Sequence, residues 1–135
     1  MTEQLTRVAL GVVRNVDHIL LIERQKKETS ADGKVLDWAL PGGKFEGNET
    51  AYQAASREVE EETGVIVEPT EIIDERRHPD FPAYIFYVAC RLINNDGHNQ
   101  TADSGIVTSK WVPIKDIRDY ISRPLNERVE LYLDL

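Results

Sequence analysis

The 135-residue chain is poor in sulfur and in basic charge: one cysteine, one methionine, and 16 Lys+Arg against 24 Asp+Glu. Each shortage excludes something. Cys90 alone cannot form an intrachain disulfide, so a core held by packing and a reducing, cytoplasmic setting are expected. A formal charge of −8 argues against a broad basic face, so neither long nucleic acids nor anionic membranes are expected partners. No apolar run approaches the roughly 20 residues that a membrane span needs. Met1 to Arg7 is polar and mixed in charge, unlike a secretory signal.

What is present is a 41% hydrophobic chain, long enough to bury roughly two-thirds of the surface exposed on unfolding. One compact domain over residues 1–135 is expected. Its acidity leaves a small phosphate ligand open, because a site that gathers metal cations binds anions inside an acidic protein.

Along the chain, Val8 to Arg14 and His18 to Glu23 are apolar runs around the turn Asn15, Val16 and Asp17, which predicts a β-hairpin. Arg24 to Asp37 is a polar, locally basic loop. Trp38 to Leu40 reads as a short strand stopped by Pro41, Gly42 and Gly43. A helix is predicted from about Asn48, as N-cap, to Thr63, with Gly64 as its C-terminal stop. Val65 to Val67, Glu71 to Arg77, Tyr84 to Leu92 and Val107 to Val112 are strand candidates. Cys90 falls within the third of these and reads as a small buried thiol. Ile114 to Tyr120 and Leu125 to Leu135 read as short helices. Strands on both sides of one central helix indicate an α/β or α+β sandwich.

Glu58, Glu60, Glu61 and Glu62 crowd four carboxylates into five positions. With Glu58 as origin and about 100° per residue, Glu62 lies about 40° to one side and Glu61 about 60° to the other. Ala51, Ala54, Ala55 and Val59 share that half of the helix. Glu60 lies with Gln53 and Ser56 on the opposite half. Three like charges on the side expected to face the protein require positive charge, and Arg57 is the one basic residue in the run. Hard divalent cations suit such oxygens. Periodicity alone leaves a metal site and an acidic surface patch as open alternatives.

Residues 43 to 65, GKFEGNETAYQAASREVEEETGV, resemble the signature of the Nudix hydrolases at each constrained position: Gly43, Glu49, Arg57, Glu58, Val59, Glu61, Glu62, Gly64 and Val65. WALPGG before the box and KWVPIKDI near the C-terminus resemble the family more weakly. The resemblance implies an α/β/α sandwich around a mixed sheet, and a MutT-like pyrophosphohydrolase of a nucleoside diphosphate linked to another moiety. A nucleoside triphosphate or oxidised nucleotide is the expected substrate. ADP-ribose or a nucleoside diphosphate sugar is the alternative, and a catalytically silent nucleotide sensor is the alternative of another class.

The same resemblance implies Mg²⁺ or Mn²⁺, two or more ions with substrate bound, held by Glu58, Glu61 and Glu62 with the Gly43 carbonyl. Glu58 is either a third ligand or the base, and Glu49 with Arg57 braces the helix. Relatives often carry another glutamate before the Trp111-like position. Gly97 to Lys110 has none, so Asp103 is either its replacement or an ordinary loop aspartate. Arg24 and Lys44 are candidate phosphate contacts or solvated cations. Trp38, Phe81 and Tyr84 are candidate base-stacking rings or core residues, and His78 reads as a loop histidine. A homodimer is possible, as dimers are common in the family.

Overall fold

The computed structural model describes residues 4–24, 38–100 and 106–135. Its centre is a seven-stranded mixed sheet. The predicted hairpin is present as β1 (Thr6–Asn15) and β2 (His18–Arg24), turning at Val16, whose φ is 56°. The two strands pair only at their turn end, Arg14 with Ile19 and Asn15 with His18. They then separate. Into the gap come β3 (Trp38–Ala39), paired to β2, and β4 (Gly42–Lys44), paired to β1. The short strand therefore stops before Pro41, as expected from the sequence, but Gly42 and Gly43 do more than close a strand. Gly42 and Gly43 belong to one, because the open edge of β1 supplies backbone partners for both.

After helix α1 (Ala51–Thr63) the chain runs through β5 (Ile66–Arg77), β6 (Ala83–Asn94) and β7 (Ile106–Pro113). Residues 65–67 and 71–77 are predicted as separate strands but join into β5. Register shifts near Pro69 and Ile72 let it stay paired with β6. β6 lies parallel to β1 along nine residue pairs, and β7 closes against the far edge of β2. A 3₁₀ turn (Ile114–Asp116) leads into α2 (Ile117–Tyr120), and α3 (Glu127–Tyr132) ends the fold. α3 is shorter than the run Leu125 to Leu135 suggested, starting only where Asn126 caps the backbone of Arg128 and Val129.

Strand alternation sorts the core into two layers. Ala9, Val13, Leu20, Val88 and Cys90 face α1 through Ala51, Ala54, Ala55 and Val59. Val12, Ile19, Leu21, Ile85 and Tyr87 face the other way, against Ile117, Val129 and Leu133. This is an α/β/α sandwich. Cys90 is buried, its thiol pushed up to about 12 by desolvation. Among the described residues no helix is long and apolar enough to cross a membrane.

α1 starts two residues later than Asn48 would place it. Thr50 is the N-cap, because its hydroxyl and Gln53 satisfy each other's backbone N–H groups in a capping box. At the other end Gly64 adopts φ 78°, the left-handed turn in which a side chain is strained, and its N–H bonds to the Glu60 carbonyl.

Candidate active site

The later turns of α1 face strand β4 through Glu58 and Glu62, and Arg57 ties the helix to β4 and to the turn that precedes it. Its Nε and Nη2 grip Glu49 at 2.6 and 3.0 Å, the two-pronged geometry that suits a guanidinium. Nη2 also donates to the Lys44 carbonyl at 3.0 Å. Nη1 reaches Glu46 at 2.9 Å and both Glu58 and Glu61 at 3.0 Å. The Glu46 N–H in turn donates to Glu49 at 2.8 Å. The guanidinium holds the Glu49 carboxyl below its usual range, and these carboxylates push Arg57 further up. One arginine thus serves four carboxylates, more than the sequence suggested it would.

The three glutamates of α1 differ in exposure. Glu62 is 5% exposed, and its Oε1 accepts the Gly42 N–H at 2.8 Å. Glu58 lies against β4 with its side chain 14% exposed. A Cβ added to Gly43 would stand 2.7 Å from the Glu58 carboxylate, so a side chain there would push that carboxylate away from β4. The expectation of three inward carboxylates needs correction at Glu61, whose side chain is 49% exposed. Sitting about 60° round from Glu58, it reaches the rim of the covered face. There it borders an open cleft of about 490 Å³ with Arg57, Glu60, Gly97 and Gln100. Glu60 is exposed.

A divalent metal suits this set in chemistry, because carboxylate oxygens beside the β4 backbone are hard donors. The Glu62 carboxylate is buried beside the β4 backbone, where its Oε1 accepts the Gly42 N–H. Among the described residues, however, no three His, Cys, Asp or Glu side chains already form a metal cage. Arg57 and the Gly42 N–H hold the carboxylates instead.

On the opposite face of the sheet is a cavity of about 470 Å³. β1 contributes Val8 and Leu10, β6 contributes Ile85 and Tyr87, and Arg24, Trp38, Phe81 and Tyr120 stand around it. Three of the sequence candidates, Arg24, Trp38 and Phe81, therefore meet in one place. Trp38 packs edge-on against Tyr120 at 5.2 Å, and Phe81 is 63% exposed. The other two lie elsewhere. Lys44 is an exposed residue of β4 whose carbonyl serves Arg57. Tyr84 belongs to the alternate face of β6, packed edge-on against Phe86 with its hydroxyl donating to Glu75. Asp103 lies outside the described residues.

Sequence reasoning missed Glu46, although a glutamate three residues before Glu49 was a readable signal for a turn into the helix. It also did not single out Arg76, Tyr87, Tyr120 and Arg123, while His78 is the loop residue it was read as and borders the cavity after β5. The alternation of β6 placed Tyr87 opposite Tyr84 in principle. The other four come together only once β5, β6 and the segment after α2 are folded.

The NUDIX domain family model matches residues 4–131, and the chain belongs to this family. Among curated relatives it is 37% identical over 122 residues to the human 8-oxo-dGDP phosphatase NUDT18, covering 87% of this chain and 33% of that protein. It is 34% identical over 99 residues to Nudix hydrolase 6 of Arabidopsis thaliana, covering 70% and 34%. Phosphatase NudJ of Escherichia coli is 33% identical over 94 residues, covering 67% and 60%. The chain thus spans from a third to three-fifths of the length of these relatives. The fold matches a solved MutT protein from Methanosarcina mazei Go1 at a TM-score of 0.69, with 20% identity over 99% of this chain and 96% of that one. A NUDIX hydrolase from Nitrosomonas europaea gives 0.73, with 24% identity over 97% and 87%.

Proposed function

We propose that the chain is a metal-dependent pyrophosphohydrolase that cleaves a nucleoside diphosphate linked to another moiety, with a nucleoside triphosphate or an oxidised nucleotide as the substrate. The observation that carries this reading is the intact carboxylate set on α1, braced by Arg57 against β4. A binding module has no need of so many like charges in one place, each of which costs stability unless compensated.

Glu58, Glu61 and Glu62, with the Gly43 carbonyl, would hold Mg²⁺ or Mn²⁺. When bound, such ions would supply shielding of phosphate oxygens, relief of charge on the leaving group and acidification of a water. The chain's own contribution is orientation. Glu62 is fixed by the Gly42 N–H, while Glu58 and Glu61 are aimed by one guanidinium that Glu49 locks in place. Glu58 is either the third ligand or the base that takes the proton from the attacking water, and Arg24, at the end of β2, is a candidate phosphate contact.

The test is a panel of nucleoside triphosphates, oxidised nucleotides, ADP-ribose and dinucleotides, each with Mg²⁺ or Mn²⁺ and with products identified by mass. Release of a nucleoside monophosphate with phosphate or pyrophosphate is the expected result. Thermal stabilisation by a nucleotide without any product would overturn the enzyme reading in favour of a sensor.

A further inference from the structure

All five N–H groups of Arg57 are engaged: Nε with Glu49, Nη2 with Glu49 and the Lys44 carbonyl, and Nη1 with Glu58 Oε1 and Glu61 Oε2. A guanidinium has no further donor. Glu46 Oε2 nevertheless stands 2.9 Å from Nη1, paired by charge with a nitrogen whose hydrogens point to other carboxylates. In this arrangement the Glu46 side chain contributes little, because it is 66% exposed and an exposed ion pair without an aligned hydrogen is weak.

Its backbone is better fixed. The Glu46 N–H donates to the Glu49 carboxylate and its carbonyl accepts the Glu49 N–H at 3.1 Å, so the turn before α1 keeps the side chain beside Nη1. Glu58 and Glu61 have another task. Among the described residues no three acidic side chains already form a metal cage, so cation binding requires some of them to turn. Nη1 holds two of the three candidates, and each one that turns away leaves a hydrogen without its acceptor.

We propose that Glu46 is a positioning residue that takes over Nη1 of Arg57 when Glu58 and Glu61 turn to a divalent cation. The inference rests on the metal-dependent reading and deepens it to how the site is loaded. Glu46 acts through Arg57 and is not itself a ligand. The exchange leaves the guanidinium bonded, with Glu49 still gripping its other edge, so Arg57 need not follow the carboxylates it has released.

The experiment measures Mn²⁺ binding to the 135-residue chain without substrate, from the paramagnetic resonance signal of the free ion, together with thermal unfolding in EDTA. Glu46→Gln keeps the size of the side chain and the backbone of the turn. It is expected to weaken Mn²⁺ binding about tenfold, the low end of what an outer partner of metal ligands costs. The metal-free unfolding midpoint is expected to stay as in the parent, because Glu46 takes none of the Arg57 hydrogens there. In an Arg57→Gln background the same substitution is expected to change binding by no more than about twofold, since no guanidinium is left to take over. Unchanged affinity in Glu46→Gln overturns the proposal, as does an undiminished effect in the Arg57→Gln background. Equal weakening by Glu60→Gln, at a side chain that takes no hydrogen from Arg57, also overturns it by making charge density the cause. A metal-free midpoint that falls with Glu46→Gln overturns it too, in favour of a fixed brace. In each of these cases Mn²⁺ binding by the parent leaves the metal-dependent reading standing, whereas a parent that binds no Mn²⁺ overturns both.

Discussion

On the α1 face of the sheet, Arg57 stands among Glu46, Glu49, Glu58 and Glu61. On the other face, arginines and a histidine surround a cavity whose described lining holds no carboxylate. The same strands build both, because alternate residues of β1 and β6 point to opposite layers. An excess of acidic residues over the whole chain therefore says little about either region. Negative charge is concentrated on α1, where it can gather cations, whereas the described lining of the cavity carries arginines instead.

The largest effect that separates the two faces is expected from Glu62→Gln and Glu61→Gln. Each keeps the size of the side chain and removes a charge, and at Glu62 the amide oxygen can still accept from Gly42. Steady-state hydrolysis should fall by orders of magnitude, while the opposite face, read by the near-ultraviolet circular dichroism of the packed Trp38 and Tyr120 rings, stays as in the parent. A parallel change there would mean that the faces are not separable.

Arg57→Lys tests whether the acidic face depends on orientation or on charge alone. Lysine keeps the charge but cannot grip Glu49 with two prongs while also reaching Glu58 and Glu61. Activity should drop by about 10- to 100-fold, the usual cost of losing a group that orients ligands. The same pair shapes the acid response. The folded pKa of Glu49 is depressed below 4.5, so its contribution is present above the unfolded value and is lost as pH falls through the folded one. In urea titrations, Glu49→Gln should be less stable than the parent near neutral pH, and the gap should close in acid. A gap that widens in acid would contradict the sign of the shift.

How much of each face was legible in the sequence follows from how local it is. Glu49, Arg57, Glu58, Glu61 and Glu62 sit on one turn and one helix, so helical rotation alone relates them. What rotation could not give was depth. The covering of Glu58 and Glu62 depends on β4 entering the gap between β1 and β2, and residues 41–43 read as a stop rather than a strand. The cavity was legible only in fragments, because Arg24, Trp38, Arg76 and Tyr120 come from four distant segments. The Asp80 N–H on His78 and the engaged hydroxyls of Tyr87 and Tyr120 are contacts that no spacing encodes.

The smallest expected effect is also the internal control for the acidic face. Glu60 sits between Val59 and Glu61 in the same run of charge and borders the same open cleft as Glu61. Its side chain makes neither of the contacts that distinguish its neighbours. Arg57 reaches Glu58 and Glu61, Gly42 reaches Glu62, and what Glu60 supplies to the fold is the backbone carbonyl that accepts from Gly64. A glutamine there keeps that carbonyl. Glu60→Gln should therefore leave kcat/KM nearly unchanged and shift stability by no more than about 0.5 kcal/mol, the range of ordinary surface substitutions. If it cost as much activity as Glu61→Gln, the density of negative charge on α1 would matter rather than its direction. The role of Arg57 in aiming particular carboxylates would then have to be abandoned.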